Sequence, residues 1–228
     1  MRTLALIPAR GGSSGIFRKN IRDVCGLPLL VYTILVARAA RSVDRVVVST
    51  DDEEIAALAR AHGAETPFLR PAAISGDRAV ICDALDHALA CLKEEGYRPD
   101  AILTLYPTHP FRTAQLVDGL VSRLAQGCAT ILTVRPLALN TFKCCTLGQD
   151  GRLAPAGCMS PPALPGLQAS RAYGLVVGNS LMPGAQGIYL QPLRSGVECI
   201  DIDDPEDLAL ARAVVRSGAF RLESACGM

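Results

Sequence analysis

Ile7-Pro8-Ala9-Arg10-Gly11-Gly12-Ser13-Ser14-Gly15-Ile16-Phe17-Arg18-Lys19-Asn20, entered directly from the apolar run that begins at Thr3, decides how this chain is read. A short strand that yields to a glycine-rich, cationic loop is how a parallel sheet presents backbone N–H groups and positive charge to a phosphate chain. Gly11, Gly12 and Gly15 predict positive-φ backbone and close approach to a ligand. Arg10, Arg18 and Lys19 supply charge that a solvated turn does not require, and a nucleoside triphosphate is the natural guest. Neither common phosphate motif fits, because no Lys-Ser/Thr follows Gly15 and the glycines do not match G-x-G-x-x-G. The competing reading is an ordinary strand-to-helix connection with surface charges.

Outward from this loop, apolar runs alternate with amphipathic stretches. The pattern predicts a strand over 3–8, a helix over 28–41, a strand over 45–49 and a helix over 51–62. A helix over about 79–94, a strand over 101–105, a helix over about 113–126 and a strand over 129–134 follow. This rhythm is that of an α/β fold with a parallel sheet. Thr50 with Glu53 reads as a capping box, which makes Asp52, Glu53 and Glu54 the favourable charges of a helix's first turn. From 136 to 184 the pattern dissolves into Gly, Pro and Ser, too long for a plain loop unless it packs on something else; a mobile surface excursion is the alternative. Strands over 187–190 and 198–202 then precede a closing helix over 205–216. Asp204, Pro205 and Asp207 read as its N-cap, first residue and first-turn acid.

The 228 residues, half of them apolar, suit one α/β domain. A formal charge of +1 argues against a general binder of nucleic acid or membrane surfaces, so the positive charge that matters is local. No stretch of eighteen apolar residues and no cleavable signal pattern appears, and the expectation is a cytoplasmic protein. Nine cysteines without a C-x-x-C pair read as structural thiols, with Cys82 and Cys91 in segments that read as buried helix. Cys144-Cys145 lacks a histidine at ligand spacing.

Asp201-Ile202-Asp203 is the second chemical feature. In a strand, Ile200 and Ile202 would go to the core and both aspartates to the other face, their Cα atoms about 6.6 to 6.8 Å apart. Carboxylates so placed repel one another. A hard cation bridging them to phosphate oxygens relieves the repulsion, and Mg²⁺ typically binds through one or two carboxylates plus phosphates and water. The alternative is a solvated strand end.

Ile7 to Ser13, followed by Gly15-Ile16 and Lys19-Asn20, resembles the N-terminal signature of the acylneuraminate cytidylyltransferases, which make CMP-sialic acids and related CMP-nonulosonates. The resemblance continues, in the family's order, through Val48-Ser49-Thr50-Asp51 and through Phe68-Leu69-Arg70-Pro71-Ala72 with Asp77. Pro107-Thr108 with Pro110 and Arg112, then Ile200-Asp201-Ile202-Asp203 with Pro205-Glu206-Asp207-Leu208, complete it. It covers residues 1 to about 135 and about 186 to 216.

The resemblance implies a three-layer Rossmann-like nucleotidyltransferase fold with a mostly parallel central sheet. It also implies a single cytidylyltransferase domain over 1–228, with 138–184 as an extension that pairs two subunits and reaches over the neighbour's active site. The implied reaction is in-line attack of the anomeric hydroxyl of a 2-keto sugar acid on the α-phosphorus of CTP, with loss of pyrophosphate. By matched position, Arg10 and Lys19 hold the triphosphate, and Asp201 and Asp203 hold Mg²⁺ against the α-phosphate and attacking oxygen. Gly11, Gly12, Ser13, Asn20, Arg70 and Asp77 belong to the nucleotide site, and Tyr106, Thr108 and His109 lie where the family touches the sugar acid.

The chain departs from the family in places. Ser14 stands where the family usually has Lys, and Phe17 where it has Pro; Arg18 could replace the lost cation, or support the loop instead. Tyr106 and His109 replace Gln and Ser, and Ile81 stands about where a serine often touches cytosine. Ala185-Gln186 replaces Asn-Gly, and Arg171 is the nearby candidate for an unrecognisable Arg-Gln pair. His109 is either a proton carrier or acceptor contact, or merely structural. The expectation is CMP transfer to a nonulosonic or similar acid with altered acceptor specificity. An enzyme of the same fold acting on a phosphonate or phosphorylated sugar, or a catalytically weak nucleotide-binding relative, are the alternatives.

Overall fold

The computed structural model describes residues 1–13, 15–76, 79–137, 145–147, 153–155, 169–193 and 195–222. Asp77, Ser14, Cys144 and most of 138–168 lie outside the described residues, as do the side chains of Arg171 and Tyr173. The elements that carry the molecule are β1 (Thr3–Pro8), the hairpin β2 (Asp23–Val24) and β3 (Leu27–Pro28), α1 (Leu29–Ala39), β4 (Arg45–Ser49) and α2 (Glu53–Ala61). After them come α3 (Ile81–Glu94), β5 (Ala101–Thr104), α4 (Ala114–Ala125) and β6 (Cys128–Leu137). A small hairpin, β7 (Cys145–Leu147) and β8 (Leu153–Pro155), precedes β9 (Ala169–Ser180), β10 (Gln186–Pro192) and α5 (Pro205–Arg216).

The six-stranded sheet has the order β10-β6-β9-β5-β1-β4. β1 runs parallel to both β4 and β5, and β10 parallel to β6; β9 alone runs against its neighbours. Alternate residues of β1 explain the three layers. Ala5 and Ile7 join a core with Leu30 and Ile34 of α1 and Val117 and Leu120 of α4, whereas Leu4 and Leu6 meet Ala88 and Leu92 of α3. A parallel sheet buried on both faces in this way reads as continuous apolar runs rather than alternation, which is why 3–7 and 45–48 were legible. A third cluster joins Ile16 of the glycine-rich loop, Leu29 and Tyr32 of α1, Phe111, Ile202, and Leu208 and Ala211 of α5. It brings the two chemical features together, because α5 buries Ile202 and Ile16 in one place.

Four local expectations change. The second helix begins at Glu53, with Asp52 as N-cap accepting from the Glu54 and Ile55 N–H groups, while Thr50 Oγ1 accepts from Asp52 N–H. Asp52 is two residues closer to the first helical turn than Thr50, so its carboxylate takes the cap. Residues 198–202 form no strand; Gly196 to Cys199 turn, and Ile202 N–H reaches the Thr108 carbonyl at 2.8 Å. The apolar alternation there reflects packing of Ile202, with Ile200 partly buried beside it, against one cluster, without a ladder. The stretch 136–184 contains β9, a full strand between β5 and β6. Gly178 hides it from pattern reading: a Cβ there would stand 2.8 Å from Leu103 Cδ2, so the strand enters the core only without a side chain. Helix α5 is as read, with a complete capping box between Asp204 and Asp207 and Pro205 at its start. Cys82 is exposed and Cys91 half-buried, so neither is a core thiol; the apolar face of α3 runs through Ala84, Ala88 and Leu92 instead. Among the described residues, no helix is long and apolar enough to cross a membrane.

The β6–β9 ladder breaks register between Leu132, which faces Val177, and Thr133, which faces Tyr173. Gly174, Leu175 and Val176 therefore form a bulge. Thr133 Oγ1 closes it by donating to the Val176 carbonyl at 3.1 Å and accepting from Val176 N–H at 3.2 Å. Thr133→Val keeps the shape and removes both bonds inside a fully buried site, so it is expected to cost about 1 to 3 kcal/mol. A lowered urea midpoint at unchanged slope is the signature, and a wild-type midpoint would refute the role of the hydroxyl.

Candidate active site

The site lies outside the carboxyl ends of β1, β4 and β5. The chain leaves β1 for β4 on one side and later adds β5 on the other, so β1 marks the switch point at which open α/β sheets bind ligands. Ala9 N–H donates to the Ser49 carbonyl at 3.0 Å and Gly11 N–H to Asp51 Oδ1 at 2.9 Å, docking the loop onto the end of β4. Asn20 Nδ2 donates to the Arg10 carbonyl at 2.9 Å and closes the loop on itself.

The glycines serve close approach, not positive φ. None of Gly11, Gly12 and Gly15 has positive φ; Arg18 takes the left-handed turn at φ 53°. A Cβ on Gly11 would stand 2.8 Å from Asp52 Oδ2, and one on Gly15 would stand 2.0 Å from the Asp203 carbonyl oxygen. The neighbours that forbid side chains come from distant segments. Arg18 Nη2 pairs with Asp52 at 2.9 Å and Glu54 at 3.0 Å. Its guanidinium thus anchors the loop to the start of α2, the loop-supporting alternative.

Lys19 opens a short 3₁₀ turn, Lys19–Ile21, and its side chain is only 12 % exposed. Nζ donates to the Ile202 carbonyl at 2.7 Å and to Asp203 Oδ1 at 2.9 Å, while the Asp203 side chain is 71 % exposed. Residues 19 and 203 therefore meet in space, as one shared ligand requires.

A cleft of about 280 Å³ opens beside the loop, lined by Pro8, Arg10, Arg70, Val80, Ile81 and Tyr106 among others. Arg70 is buried; its N–H donates to the Thr50 carbonyl at 2.7 Å and its Nη2 to the Ser49 carbonyl. Its Nε has no partner, and burial lowers the guanidinium's pKa, with Asp51 opposing and Arg10 reinforcing the shift. Two cations facing one cavity favour an anionic guest. Burial also raises the Tyr106 phenol.

The acceptor side is the segment from Tyr106 to Arg112. Arg112 is fully buried and, among the described residues, has no carboxylate partner; it donates to the Tyr106 carbonyl at 2.6 Å, to the His109 carbonyl, and to Thr33 Oγ1 at 3.3 Å. Burial pushes its pKa down to about 9. Its spacing was visible in the sequence, but its role as the clamp of the 106–109 segment was not, because only tertiary burial reveals it. His109 is 5 % exposed, with Nδ1 at 3.1 Å from Thr108 Oγ1 and 3.4 Å from Asp201 Oδ1. Burial, then the Arg112 charge, push its pKa down to about 4. The imidazole is therefore neutral, and its contact with Asp201 is not an ion pair despite the short distance.

Asp201 and Asp203 are the carboxylates available for a cation. Asp201 Oδ1 is buried without a hydrogen bond, and desolvation raises the carboxyl's pKa, with the Thr108 hydroxyl opposing and Asp203 adding to the shift. An orphaned carboxylate oxygen beside a second, exposed carboxylate fits a hard divalent ion. No cluster of three or more His, Cys, Asp or Glu suited to a metal occurs among the described residues, so phosphate and water oxygens would complete the coordination. The structure thus brings Arg10 and Arg70, and separately Lys19, Asp203, Asp201 and His109, to one end of the sheet.

A family model described as "Cytidylyltransferase" matches residues 4–144. The chain is 28 % identical over 225 residues to the CMP-N,N'-diacetyllegionaminic acid synthase of Legionella pneumophila, covering 94 % of this chain and 97 % of the relative. Against the pseudaminic acid cytidylyltransferase of Campylobacter jejuni it is 37 % identical over 127 residues, 56 % of this chain and 55 % of the relative. The 3-deoxy-manno-octulosonate cytidylyltransferase of Anaeromyxobacter dehalogenans is 29 % identical over 251 residues, covering 96 % of this chain and all of the relative. Among solved structures, a CMP:2-keto-3-deoxy-manno-octonic acid synthetase complexed with CTP superposes with a TM-score of 0.69 at 16 % identity, over 96 % of this chain and 100 % of that one. With a matching model that spans more than half of its length and includes the loop, the cleft and the acceptor segment, this chain belongs to the cytidylyltransferase family.

Proposed function

We propose that this enzyme transfers CMP from CTP to the anomeric hydroxyl of a nonulosonic, sialic-acid-like sugar acid and releases pyrophosphate. The observation that carries the reading is the 2.9 Å approach of Lys19 to Asp203, which puts phosphate-binding charge beside carboxylates from the other end of the chain. The legionaminic relative, similar over nearly the full length, supports the acceptor class.

The chemistry asks for positioning and charge neutralisation. Arg10 and Arg70 draw the nucleotide into the cleft beside the loop, and the backbone at Gly11 and Gly12 allows the triphosphate close approach. Lys19, already held at the Asp203 carboxylate, neutralises phosphate oxygens as the anomeric hydroxyl gives up its proton to water, the bond from its oxygen to the α-phosphorus forms and the bond to the departing pyrophosphate breaks. Asp201 and Asp203 would hold a Mg²⁺ ion, which when bound supplies positive charge at the α-phosphate and the attacking oxygen. Tyr106 and Thr108 offer an aromatic face and a hydroxyl to the acceptor, and Arg112 fixes their segment by holding the Tyr106 and His109 carbonyls. We place the working form in the cytoplasm, where CTP is available, as a homodimer joined through the part of the 138–184 extension that precedes β9, since β9 itself belongs to the protomer's own sheet. Sedimentation of the full chain against one lacking 140–167, which leaves β9 in place, tests the assembly.

The octulosonate relative, which matches end to end, favours a second reading in which an eight-carbon 3-deoxy acid is the acceptor. A pyrophosphate-release assay of the four nucleoside triphosphates against nine-carbon sugar acids, 3-deoxy-manno-octulosonate and phosphonates decides. Turnover with CTP and nine-carbon acids is the expected result. Turnover with the eight-carbon acid alone selects the second reading, and turnover only with phosphonates or another base overturns both.

A further inference from the structure

We infer that His109 is a positioning residue for Asp201, braced from behind by the bulge of β9 at Gly174; the inference rests on the cation reading of Asp201 and Asp203. His109 stands between a carboxylate and a strand, almost wholly shielded from solvent. On one side its Nδ1 is 3.4 Å from Asp201 Oδ1, the oxygen that is buried and makes no hydrogen bond. On the other, the ring fills the notch that Gly174 leaves. A Cβ built on Gly174 would stand 3.2 Å from His109 Cε1, 3.6 Å from its Nδ1 and 3.4 Å from Tyr106 Cδ2.

The rest of the surroundings allow the ring little freedom. Arg112 holds the His109 carbonyl, and Thr108 Oγ1 lies 3.1 Å from Nδ1. The Thr108 carbonyl accepts from Ile202 N–H at 2.8 Å, so the segment bearing Asp201 is tied to the segment bearing His109 by backbone as well as side chain. The bulge is fixed in turn by Thr133 Oγ1, bonded to both backbone groups of Val176. Bulges commonly re-aim groups beside active sites. Here the bulge presents the one residue type that leaves room for an imidazole behind Asp201. With His109 so shielded, its effect on the reaction passes through Asp201 rather than through contact with the acceptor. Side chains that orient metal ligands usually change metal affinity about 10- to 100-fold when removed.

The test is Mn²⁺ binding, followed by electron paramagnetic resonance, to the full chain saturated with non-cleavable α,β-methylene-CTP. His109→Ser is expected to weaken Mn²⁺ about 10- to 100-fold. His109→Asn, whose amide reaches the Nδ1 position, should recover most of that loss, and the acceptor KM should stay unchanged. Gly174→Ala displaces the ring and should weaken Mn²⁺ comparably, and the double variant Gly174→Ala/His109→Ser should lose no more than His109→Ser, because both act on one contact. Wild-type Mn²⁺ affinity in His109→Ser, with affinity lost in Asp203→Asn, overturns the inference and leaves the cation reading intact. Wild-type affinity in both Asp201→Asn and Asp203→Asn overturns the cation reading itself. Should His109→Ser fold poorly, Gly174→Ala decides in the same way, since wild-type affinity there removes the brace.

Discussion

Lys19→Ala is expected to lower kcat/KM for CTP-dependent pyrophosphate release by about 10²- to 10³-fold, the cost of losing one preorganised charge at a site where charge develops, roughly 3 to 4 kcal/mol. The size of the effect follows from the position of the ammonium. Its side chain is nearly shielded, and its two visible partners are the Ile202 carbonyl and the Asp203 carboxylate. Nζ is therefore held at the carboxylates before any ligand arrives, and no reorganisation is needed when a phosphate joins them. Stability should change far less, because the Asp203 partner is largely exposed and pairs of that kind contribute about 0 to 1 kcal/mol. Initial rates measured beside thermal melts separate the two effects. Lys19→Arg is expected to recover little, since a planar fork cannot occupy the pocket of a point charge bonded to a carbonyl and a carboxylate at once. A Lys19→Ala enzyme that turns over at the wild-type rate would remove this residue from the phosphate site.

What the sequence made legible is what local chemistry dictates. Asp204, Pro205 and Asp207 cap α5 because an N-cap needs only residues within one turn. β1 and β4 were legible because strands buried on both faces are continuously apolar. The rest depended on partners far along the chain. The loop glycines read as positive-φ positions, but their constraint comes from Asp52 and Asp203, segments some 40 and 190 residues away in the numbering. β9 escaped detection because Gly174 and Gly178 interrupt its apolar pattern where the bulge meets His109 and where Leu103 fills the core. Residues 198–202 read as a strand from isoleucine alternation, yet only Ile202 is fully buried and its backbone finds a single partner in Thr108. Arg18 was open between loop support and phosphate; the acids at the start of α2, assigned to the helix's first turn, pair with it. In each case the residue type was right for its place, and the partner that gave it meaning was not adjacent.

Gly15→Ala tests the claim that the loop and the carboxylates form one device, and it should inactivate the enzyme about 100-fold without unfolding it. The Cβ would stand 2.0 Å from the Asp203 carbonyl oxygen and 3.2 Å from the carbonyl carbon. Both sides of this contact are backbone, so no rotamer change relieves it, and reaching even 3.0 Å demands that the two segments part by about 1 Å. A displacement of that size at a reacting centre is enough for a loss of about 10²-fold. It also draws Asp203 away from Lys19, whose bond to Oδ1 is 2.9 Å. The sheet and its two main cores do not include Gly15, so the melting transition should remain cooperative, lowered only by loosening of the small cluster that joins Ile16 to Ile202. Gly119→Ala supplies the control. It lies on the exposed face of α4 with nothing within 4 Å of a built Cβ, and there alanine should leave the rate unchanged and add about 0.5 to 1 kcal/mol of stability. Opposite outcomes from two glycine-to-alanine changes, one silent in rate and one crippling, follow only if the approach of residue 15 to residue 203 is part of the catalytic geometry; equal rates in both would show that the two segments act independently.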